Sequence, residues 1–222
     1  WRSAAGFFTV GAVPHHVLPA AVLWDMDGTL VDTEPTWDAM TGEVVHDLGG
    51  ELTADDRVLL RGASTEATLE VIERCVPDLD PTTVFDEIER RLLIALHDDL
   101  VVMDGAIPLL EEFASRGVPQ TIVTSSRAVV VERVMKVLGA DFFTGFVADD
   151  SGVAPKPSPD PYLAAADLLG APISQCLVFE DSVHGLAAAR ASGALVWDVV
   201  AEPLTGVSLD RIDELTRIRI TS

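Results

Sequence analysis

Four short runs of almost purely apolar residues recur along the chain, and polar residues follow each of them. The runs cover residues 21–24, 120–123, 176–179 and 194–197. Runs of this length and composition are typical of parallel strands that are buried on both faces of a sheet. Helical patterns, each followed by a glycine, lie between the runs at residues 107–116, 128–138 and 161–169. The alternation predicts an α/β fold with a doubly wound parallel sheet.

The stretch from residue 34 to residue 100 carries helical patterns and no candidate strand. Apolar residues recur there every four positions and give one helix an apolar face: Val84, Ile88, Leu92, Leu96 and Leu100. Breaks at glycine and proline divide the stretch into about four helices. A helical block placed directly after the first strand is interpreted as an all-α cap domain inserted into the core. The predicted organisation is an N-terminal extension at residues 1–19, a core formed by residues 20–32 and 103–222, and a cap at residues 33–102.

The charge balance restricts the classes of partner. The chain has 36 acidic and 15 basic residues, which gives a formal net charge of −21. Nucleic acid and anionic membranes would be repelled by this field, so we predict neither as a partner. A phosphate site must therefore be made locally positive by a metal ion, by backbone N–H groups or by a placed cation. Because no apolar run reaches membrane-spanning length and the two cysteines lack a metal-binding pattern, we expect a cytoplasmic protein, and a monomer by default.

The first apolar run ends at the pair Asp25 and Asp27, which Gly28 follows. Ligands of open α/β sheets bind at the carboxyl ends of the strands, where this pair is predicted to lie. One carboxylate can attack phosphorus to form an aspartyl-phosphate, while the second protonates the departing oxygen and later activates water. Gly28 lets the backbone turn sharply. A plain acidic turn is the alternative, whereas an EF-hand loop is excluded because Thr36 stands where its closing glutamate would be.

Three later groups of polar residues have matching chemistry. Thr124 closes the second run, so its hydroxyl and nearby backbone N–H groups can hold a phosphoryl oxygen, although taken alone it fits a helix N-cap better. Lys156 is one of two lysines and offers a compact positive charge to a phosphate and a nucleophile. Glu180 and Asp181 follow another apolar run, and an acid pair in that position implies a cation, although Asp181 also fits a helix cap.

Taken together, the motifs resemble those of the haloacid dehalogenase superfamily, in the branch whose helical cap follows the first motif. That branch includes sugar-phosphate phosphatases, phosphoglycolate phosphatase and β-phosphoglucomutase. The matching segments occur in the family's order at residues 25–35, 122–126, 156–161 and 179–185. The resemblance spans about residues 20–198 and implies a Rossmann-like core. One departure is Pro155, which precedes Lys156 where the family usually has glycine and leaves the path of that loop open.

The resemblance implies roles for individual residues. Asp25 is the expected nucleophile, and the other expected catalytic residues are Asp27, Thr124 and Lys156. The resemblance also implies Mg²⁺ as the cofactor, held by a metal-binding set in which Asp27 contributes its backbone carbonyl and Glu180 acts through water: Asp25, Asp27, Asp181 and Glu180. Further contacts to phosphate or substrate are expected from the core and the cap, at Gly28, Ser125, Ser126, Glu34, Trp37 and Arg61.

Several reactions of the family are distinguished by single residues. Dehalogenases and P-type ATPases lack an acid two residues after the nucleophile, so Asp27 argues against both. Phosphonate-cleaving relatives use a cap lysine, and residues 34–100 contain no lysine. β-Phosphoglucomutase resembles the chain around the first motif, but it has a histidine and an arginine where this chain has Trp37 and Thr65. Those replacements favour water as the phosphoryl acceptor.

The sequence therefore predicts a Mg²⁺-dependent phosphatase that hydrolyses a small phosphorylated metabolite, such as a sugar phosphate, through an aspartyl-phosphate. Two alternatives stay open. One is a sugar phosphomutase that is primed by a bisphosphate, and the other is a catalytically silent protein that binds a phosphorylated ligand. The intact acids and Lys156 argue against the silent alternative. The physiological substrate does not follow from the motifs, because cap loops select it.

Overall fold

The computed structural model describes residues 16–98 and 100–221 of the chain. Its strands are β1 (Ala21–Trp24), β2 (Val31–Asp32), β3 (Val101–Val102), β4 (Gln120–Val123), β5 (Gly145–Val147), β6 (Cys176–Glu180) and β7 (Leu195–Asp198). Five of these strands form one parallel sheet in the order β5-β4-β1-β6-β7. The four apolar runs of the sequence therefore become β1, β4, β6 and β7. Strand β6 extends one residue further, to Glu180, and β7 begins and ends one residue later than its run, at Leu195 and Asp198.

The α-helices are α1 (Glu34–Asp47), α2 (Ala54–Leu60), α3 (Thr65–Cys75), α4 (Pro81–Asp98), α5 (Ala106–Ser115), α6 (Ala128–Leu138), α7 (Asp160–Leu168), α8 (Val183–Ser192) and α9 (Leu209–Thr221). The three helical patterns between the strands correspond to α5, α6 and α7 within one residue at each end. The three-residue strand β5 was not predicted, because its two apolar residues are too few to give a recognisable pattern.

The central strand β1 explains why the sheet is covered on both faces. All four of its residues are fully buried, and Leu23 is in register with Thr121 of β4 and Val178 of β6. Because side chains alternate along a strand, Val22 and Trp24 pack into one apolar cluster and the other two residues into a second cluster. In the first cluster the Trp24 ring stacks on Phe179 with 4.3 Å between centroids. The predicted doubly wound α/β fold is confirmed.

Helices α1–α4, called the cap helices below, lie between β2 and β3. These two short strands pair antiparallel, so the two connections between cap and core run side by side. The cap helices have a small apolar cluster of their own, which includes Val44, Ile72, Phe85 and Ile88. On α4 the four-residue repeat is buried throughout the cap part, and Leu92 and Leu96 already belong to the large cluster under the sheet. One continuous apolar helix face therefore joins the two parts.

The predicted insertion of a helical cap into the α/β core is thus confirmed, while the division at residues 19, 32 and 102 stays a prediction. Residues 1–15 of the predicted N-terminal extension lie outside the described residues. Among the residues that the structure describes, no helix has the length and apolar character needed to cross a bilayer.

Candidate active site

The chain turns sharply where β1 ends, and this turn brings the first and fourth motifs together. The backbone N–H of Asp25 still donates to the Phe179 carbonyl at 3.0 Å, and the Leu30 N–H then donates to the Met26 carbonyl at 2.9 Å. Gly28 has a φ of 88°, and a Cβ at this position would overlap the carboxylate of Asp181. Glycine is therefore required here both by the backbone conformation and by the close approach of Asp181.

Lys156 lies at the centre of a buried charge network. Its Nζ donates to Asp25 Oδ1 at 2.6 Å, to Glu180 Oε1 at 2.6 Å and to the Val123 carbonyl at 3.0 Å. These contacts use all three ammonium protons. Burial by itself lowers the pKa of Lys156, but the neighbouring charges, above all that of Asp25, outweigh it and raise this pKa well above its usual value. Lys156 is therefore a fixed positive charge beside Asp25.

Asp25 has two oxygens in different situations. Oδ1 accepts from Lys156, whereas Oδ2 is buried and has no hydrogen-bond partner among the described residues. Burial, followed by the charge of Glu180, raises the pKa of Asp25 well above its usual value, although Lys156 opposes this effect. A buried carboxylate oxygen without a donor is an unusual cost, which a bound cation would remove.

Two further acids surround that oxygen. Ligand atoms of Asp25, Glu180 and Asp181 all lie within 4.8 Å of one another. Asp181 accepts a hydrogen bond from the Thr29 hydroxyl at 2.9 Å, and burial, then the charge of Glu180, raises its pKa. Carboxylate oxygens are the ligands that Mg²⁺ prefers, so this donor set fits a hard divalent cation.

Asp27 is held by three hydroxyl groups from two separate segments. Its Oδ2 accepts from Thr124 Oγ1 and from Ser126 Oγ, both at 2.9 Å, and its Oδ1 accepts from the Thr33 hydroxyl. The Thr124 oxygen in turn accepts from the Ser126 N–H at 3.0 Å. The hydroxyls of Thr124 and Ser126, which were predicted to hold phosphate, thus orient the second carboxylate.

A cavity of about 790 Å³ lies between the strand ends and the cap helices. Its sheet-end wall contains seven of the predicted residues: Asp25, Asp27, Thr124, Ser125, Ser126, Lys156 and Asp181. Its cap wall contains three more predicted residues, Glu34, Trp37 and Arg61. Two residues that were not predicted, Arg57 and Phe85, also line this wall. Gly28 and Glu180, which were also predicted for the site, do not line the cavity. A cavity of this size accommodates a small metabolite.

The cap wall combines an aromatic surface with polar groups. Trp37 stacks on Phe85 with 6.0 Å between ring centroids. Glu34 accepts from the Gly62 N–H at 3.1 Å, and burial raises its pKa although that hydrogen bond opposes the shift. Arg57 is paired with Asp38 at 2.5 Å. Phe85 belongs to the apolar face of α4, so its second role at the cavity had no separate sequence signal.

Two contacts connect the cap helices to the core beside the cavity. Arg127, at the start of α6, pairs with Asp86 at 2.8 Å, lies 3.4 Å from Glu89 and stacks over the Phe85 ring at 5.3 Å. The Thr65 N–H donates to Asp149 Oδ2 at 3.1 Å. In this structure the cap therefore lies against the core.

Comparisons with known proteins agree with the motifs. A sequence model of haloacid dehalogenase-like hydrolases matches residues 19–193. Fructose-1-phosphate phosphatase YqaB of Escherichia coli (strain K12) is 32% identical over 185 residues, which cover 81% of this chain and 96% of the relative. Hexitol phosphatase A of the same organism is 30% identical over 193 residues, covering 86% and 87%.

A solved structure of the same family has a similar fold. A haloacid dehalogenase (HAD) hydrolase of Entamoeba histolytica HM-1:IMSS superposes with a TM-score of 0.78 at 26% identity, over 89% of this chain and 99% of that structure. The four motifs lie together at the carboxyl end of a parallel sheet, and the family model covers most of the chain. As the motifs predicted, the chain belongs to the haloacid dehalogenase-like hydrolase family.

Proposed function

We propose that the protein is a Mg²⁺-dependent phosphatase that hydrolyses a small phosphorylated metabolite, such as a sugar phosphate, through an aspartyl-phosphate on Asp25. The observation that carries the proposal is the environment of Asp25 at the base of the cavity. One of its oxygens is fixed by Lys156, and the other is buried with no donor among the described residues. The named phosphatase relatives support hydrolysis, and two of them act on fructose 1-phosphate and on hexitol phosphates by name.

In the first half-reaction the Asp25 carboxylate attacks phosphorus, and the bond between phosphorus and the ester oxygen breaks. Asp27 gives its proton to the departing alkoxide, and the three hydroxyls around Asp27 hold it in place for that transfer. In the second half-reaction Asp27 takes a proton from water as the water oxygen attacks phosphorus. The bond between phosphorus and the Asp25 oxygen breaks, which frees inorganic phosphate and restores the Asp25 carboxylate. Lys156 stabilises the charge on the transferring oxygens throughout.

Mg²⁺ would be held by Asp25, by Asp181 and by the backbone carbonyl of Asp27. When bound, it supplies positive charge next to the transferring phosphoryl group. The orphan Oδ2 of Asp25 and the acids within 4.8 Å of one another support this assignment. A contact of Glu180 through water remains a prediction from the family resemblance.

The remaining partner predictions follow from charge. A net charge of −21 repels nucleic acid along its whole length, whereas a small phosphorylated substrate needs only one local positive charge to bind. We propose a cytoplasmic monomer with no nucleic-acid or membrane partner.

A sugar phosphomutase is the second candidate, and one cavity residue favours it. A mutase must hold a bisphosphate at both ends. Arg57 is paired with Asp38 at 2.5 Å, whereas Arg61 forms no ion pair within 4.0 Å among the described residues, although its charge opposes the rise that burial causes in the pKa of Glu34. Arg61 is thus the group that would bind a second phosphate. Trp37 and Thr65, which replace the histidine and arginine of the mutases, still favour the phosphatase.

The test is phosphate release from p-nitrophenyl phosphate with and without Mg²⁺, followed by a panel that includes fructose 1-phosphate, hexitol phosphates and glucose 1-phosphate with and without glucose 1,6-bisphosphate. We expect Mg²⁺-dependent release that is abolished in Asp25→Asn, because an amide is not a nucleophile. Isomerisation of glucose 1-phosphate without net phosphate release would identify the mutase instead. Binding of inorganic phosphate without any turnover would identify the silent binder.

A further inference from the structure

Tyr162 is the one tyrosine of the chain, and its ring lies beneath the charge network of the active site. It stands on α7, the helix that follows the Lys156 loop, and it is fully buried. It does not line the cavity, so it contacts neither substrate nor solvent. Any effect of Tyr162 on the reaction must therefore pass through another residue.

The hydroxyl of Tyr162 shares an acceptor with Lys156. It donates to Glu180 Oε1 at 2.9 Å, and the same oxygen accepts from Lys156 Nζ at 2.6 Å. The other oxygen, Oε2, accepts from the backbone N–H of Ser182 at 2.8 Å and from its hydroxyl at 3.1 Å. The carboxylate of Glu180 therefore accepts from four donors in this structure.

The position of Glu180 is also fixed by steric contact. A Cβ at Gly185 would overlap the Glu180 carboxylate, so α8 packs directly against it. These hydrogen bonds and the close packing of Gly185 fix the Glu180 carboxylate in place, so that it can hold Lys156 in one position.

Lys156 is placed between two competing carboxylates, since its distances to Asp25 Oδ1 and Glu180 Oε1 are both 2.6 Å. A hydrogen bond from Tyr162 withdraws negative charge from Glu180 and weakens its attraction for the ammonium group. The Tyr162 ring also lies 5.2 Å from Nζ, a distance at which a ring face attracts a cation. Removing the hydroxyl would leave Glu180 with one donor fewer and draw Lys156 away from Asp25.

We infer that Tyr162 is a positioning residue that acts through Glu180 and holds the Lys156 ammonium group on Asp25 for phosphoryl transfer. The inference rests on the proposed phosphatase function. Burial raises the pKa of Tyr162 well above its ordinary value, in keeping with the hydrogen bond that its hydroxyl donates to Glu180. A tyrosine needed for packing alone would be replaced by phenylalanine without consequence for the reaction.

The test compares Tyr162→Phe with wild type on p-nitrophenyl phosphate, with kcat, KM and the Mg²⁺ concentration for half-maximal activity measured separately. We expect kcat to fall by about tenfold, the scale of one lost hydrogen bond to a charged group. KM and the Mg²⁺ requirement should change less than about twofold, because neither the cavity wall nor Asp181 is altered.

The matched control is Ser192→Ala, which removes another buried hydroxyl, bonded to the Ala189 carbonyl at 2.7 Å on the outer end of α8. It should lower the melting temperature and leave kcat unchanged. A Tyr162→Phe enzyme with wild-type kcat, or an equal loss of kcat in Ser192→Ala, would overturn the inference. If wild type itself shows no hydrolysis, the proposed function has failed instead.

A second arm covers the case in which Tyr162→Phe does not fold. Because the chain has a single tyrosine, growth on 3-fluorotyrosine labels this position alone. The fluorinated ring keeps its shape and its hydroxyl but is a stronger donor to Glu180. We expect kcat to change by at least about twofold, and an unchanged kcat would contradict the assigned role.

Discussion

The two walls of the cavity differ in how far their charged side chains are exposed to water. In the sheet-end wall the ammonium side chain of Lys156 is 4% exposed and engages two carboxylates at 2.6 Å. In the cap wall the paired Arg57 side chain is 38% exposed, and Arg61 is exposed at the surface. Charges act far more strongly when water is excluded, so the first wall suits bond breaking and the second suits recognition. The charged groups at the strand ends are thus buried and fixed by hydrogen bonds, whereas the arginines of the cap wall are partly or fully exposed.

The sharpest way to break this contrast is to remove the central cation of the sheet-end wall. Lys156→Met would leave the carboxylates of Asp25 and Glu180 buried without their cationic partner, which costs about 3–5 kcal/mol of stability. We expect hydrolysis to fall by on the order of 10³-fold or more, because the charge on the transferring oxygens loses its partner. The measurements are chemical denaturation and phosphate release.

The control is the other lysine of the chain, Lys136, which is exposed on α6. Lys136→Met should leave both quantities near wild type. Equal effects of the two substitutions would contradict a specific role of Lys156 in stability and catalysis.

A second substitution separates the metal from the cation. In Asp181→Asn we expect the Mg²⁺ concentration for half-maximal activity to rise by on the order of 100-fold, because one anionic ligand is lost. The rise in melting temperature that Mg²⁺ produces without substrate should shrink in parallel. Asp160→Asn, at an exposed acid at the start of α7, is the control. An Mg²⁺ response in Asp181→Asn like that of wild type would remove Asp181 from the metal site.

The smallest effect is expected where the cap meets the core. Glu89 is buried, its Oε1 has no partner among the described residues, and burial raises its pKa although Arg127 opposes the shift. A carboxyl whose pKa is higher in the folded state destabilises that state once it ionises, so the penalty grows with pH. Glu89→Gln should therefore raise the melting temperature slightly at pH 8, and the gain should shrink toward pH 5.

The control for this prediction, Glu87, lies two residues away on the same helix. Glu87 pairs with Arg90 and Arg91, and these hydrogen bonds lower its pKa to about 2. Its stabilising effect is present throughout that pH range and is lost only as the pH falls through this low pKa. Glu87→Gln should therefore lower the melting temperature at both pH values. A melting temperature of Glu89→Gln below wild type at pH 8 would contradict the prediction.

The sequence predicted those features that depend on local pattern. The apolar runs predicted the central strands, because an apolar segment of four or five residues between helices is typical of a strand that is buried on both faces of a parallel sheet. Strands β2, β3 and β5 were not predicted, because two or three residues are too few to show the alternation of a strand. The helical cap followed from a stretch of chain with no strand pattern, and its four helices are present in the described residues.

Most of the candidate site was predictable for a geometric reason. Parallel strands end at the same edge of the sheet, so residues that follow them, such as Asp25, Thr124 and Asp181, must meet whatever their separation in sequence. Cap residues such as Trp37 were predicted from family resemblance, and their cavity positions agree with it. The sequence alone thus determined the family, the fold and the residues at the strand ends.

Only the tertiary structure decided which atoms bond to which. The Thr124 hydroxyl donates to Asp27, the Thr65 N–H donates to Asp149 in the core, and Tyr162 shares Glu180 with Lys156. These contacts depend on how helices pack across the sheet faces, and that packing leaves no period or motif in the chain. The motifs could place an acid and a lysine at one edge of the sheet, but the division of one carboxylate between two donors is decided by packing within a few tenths of an ångström.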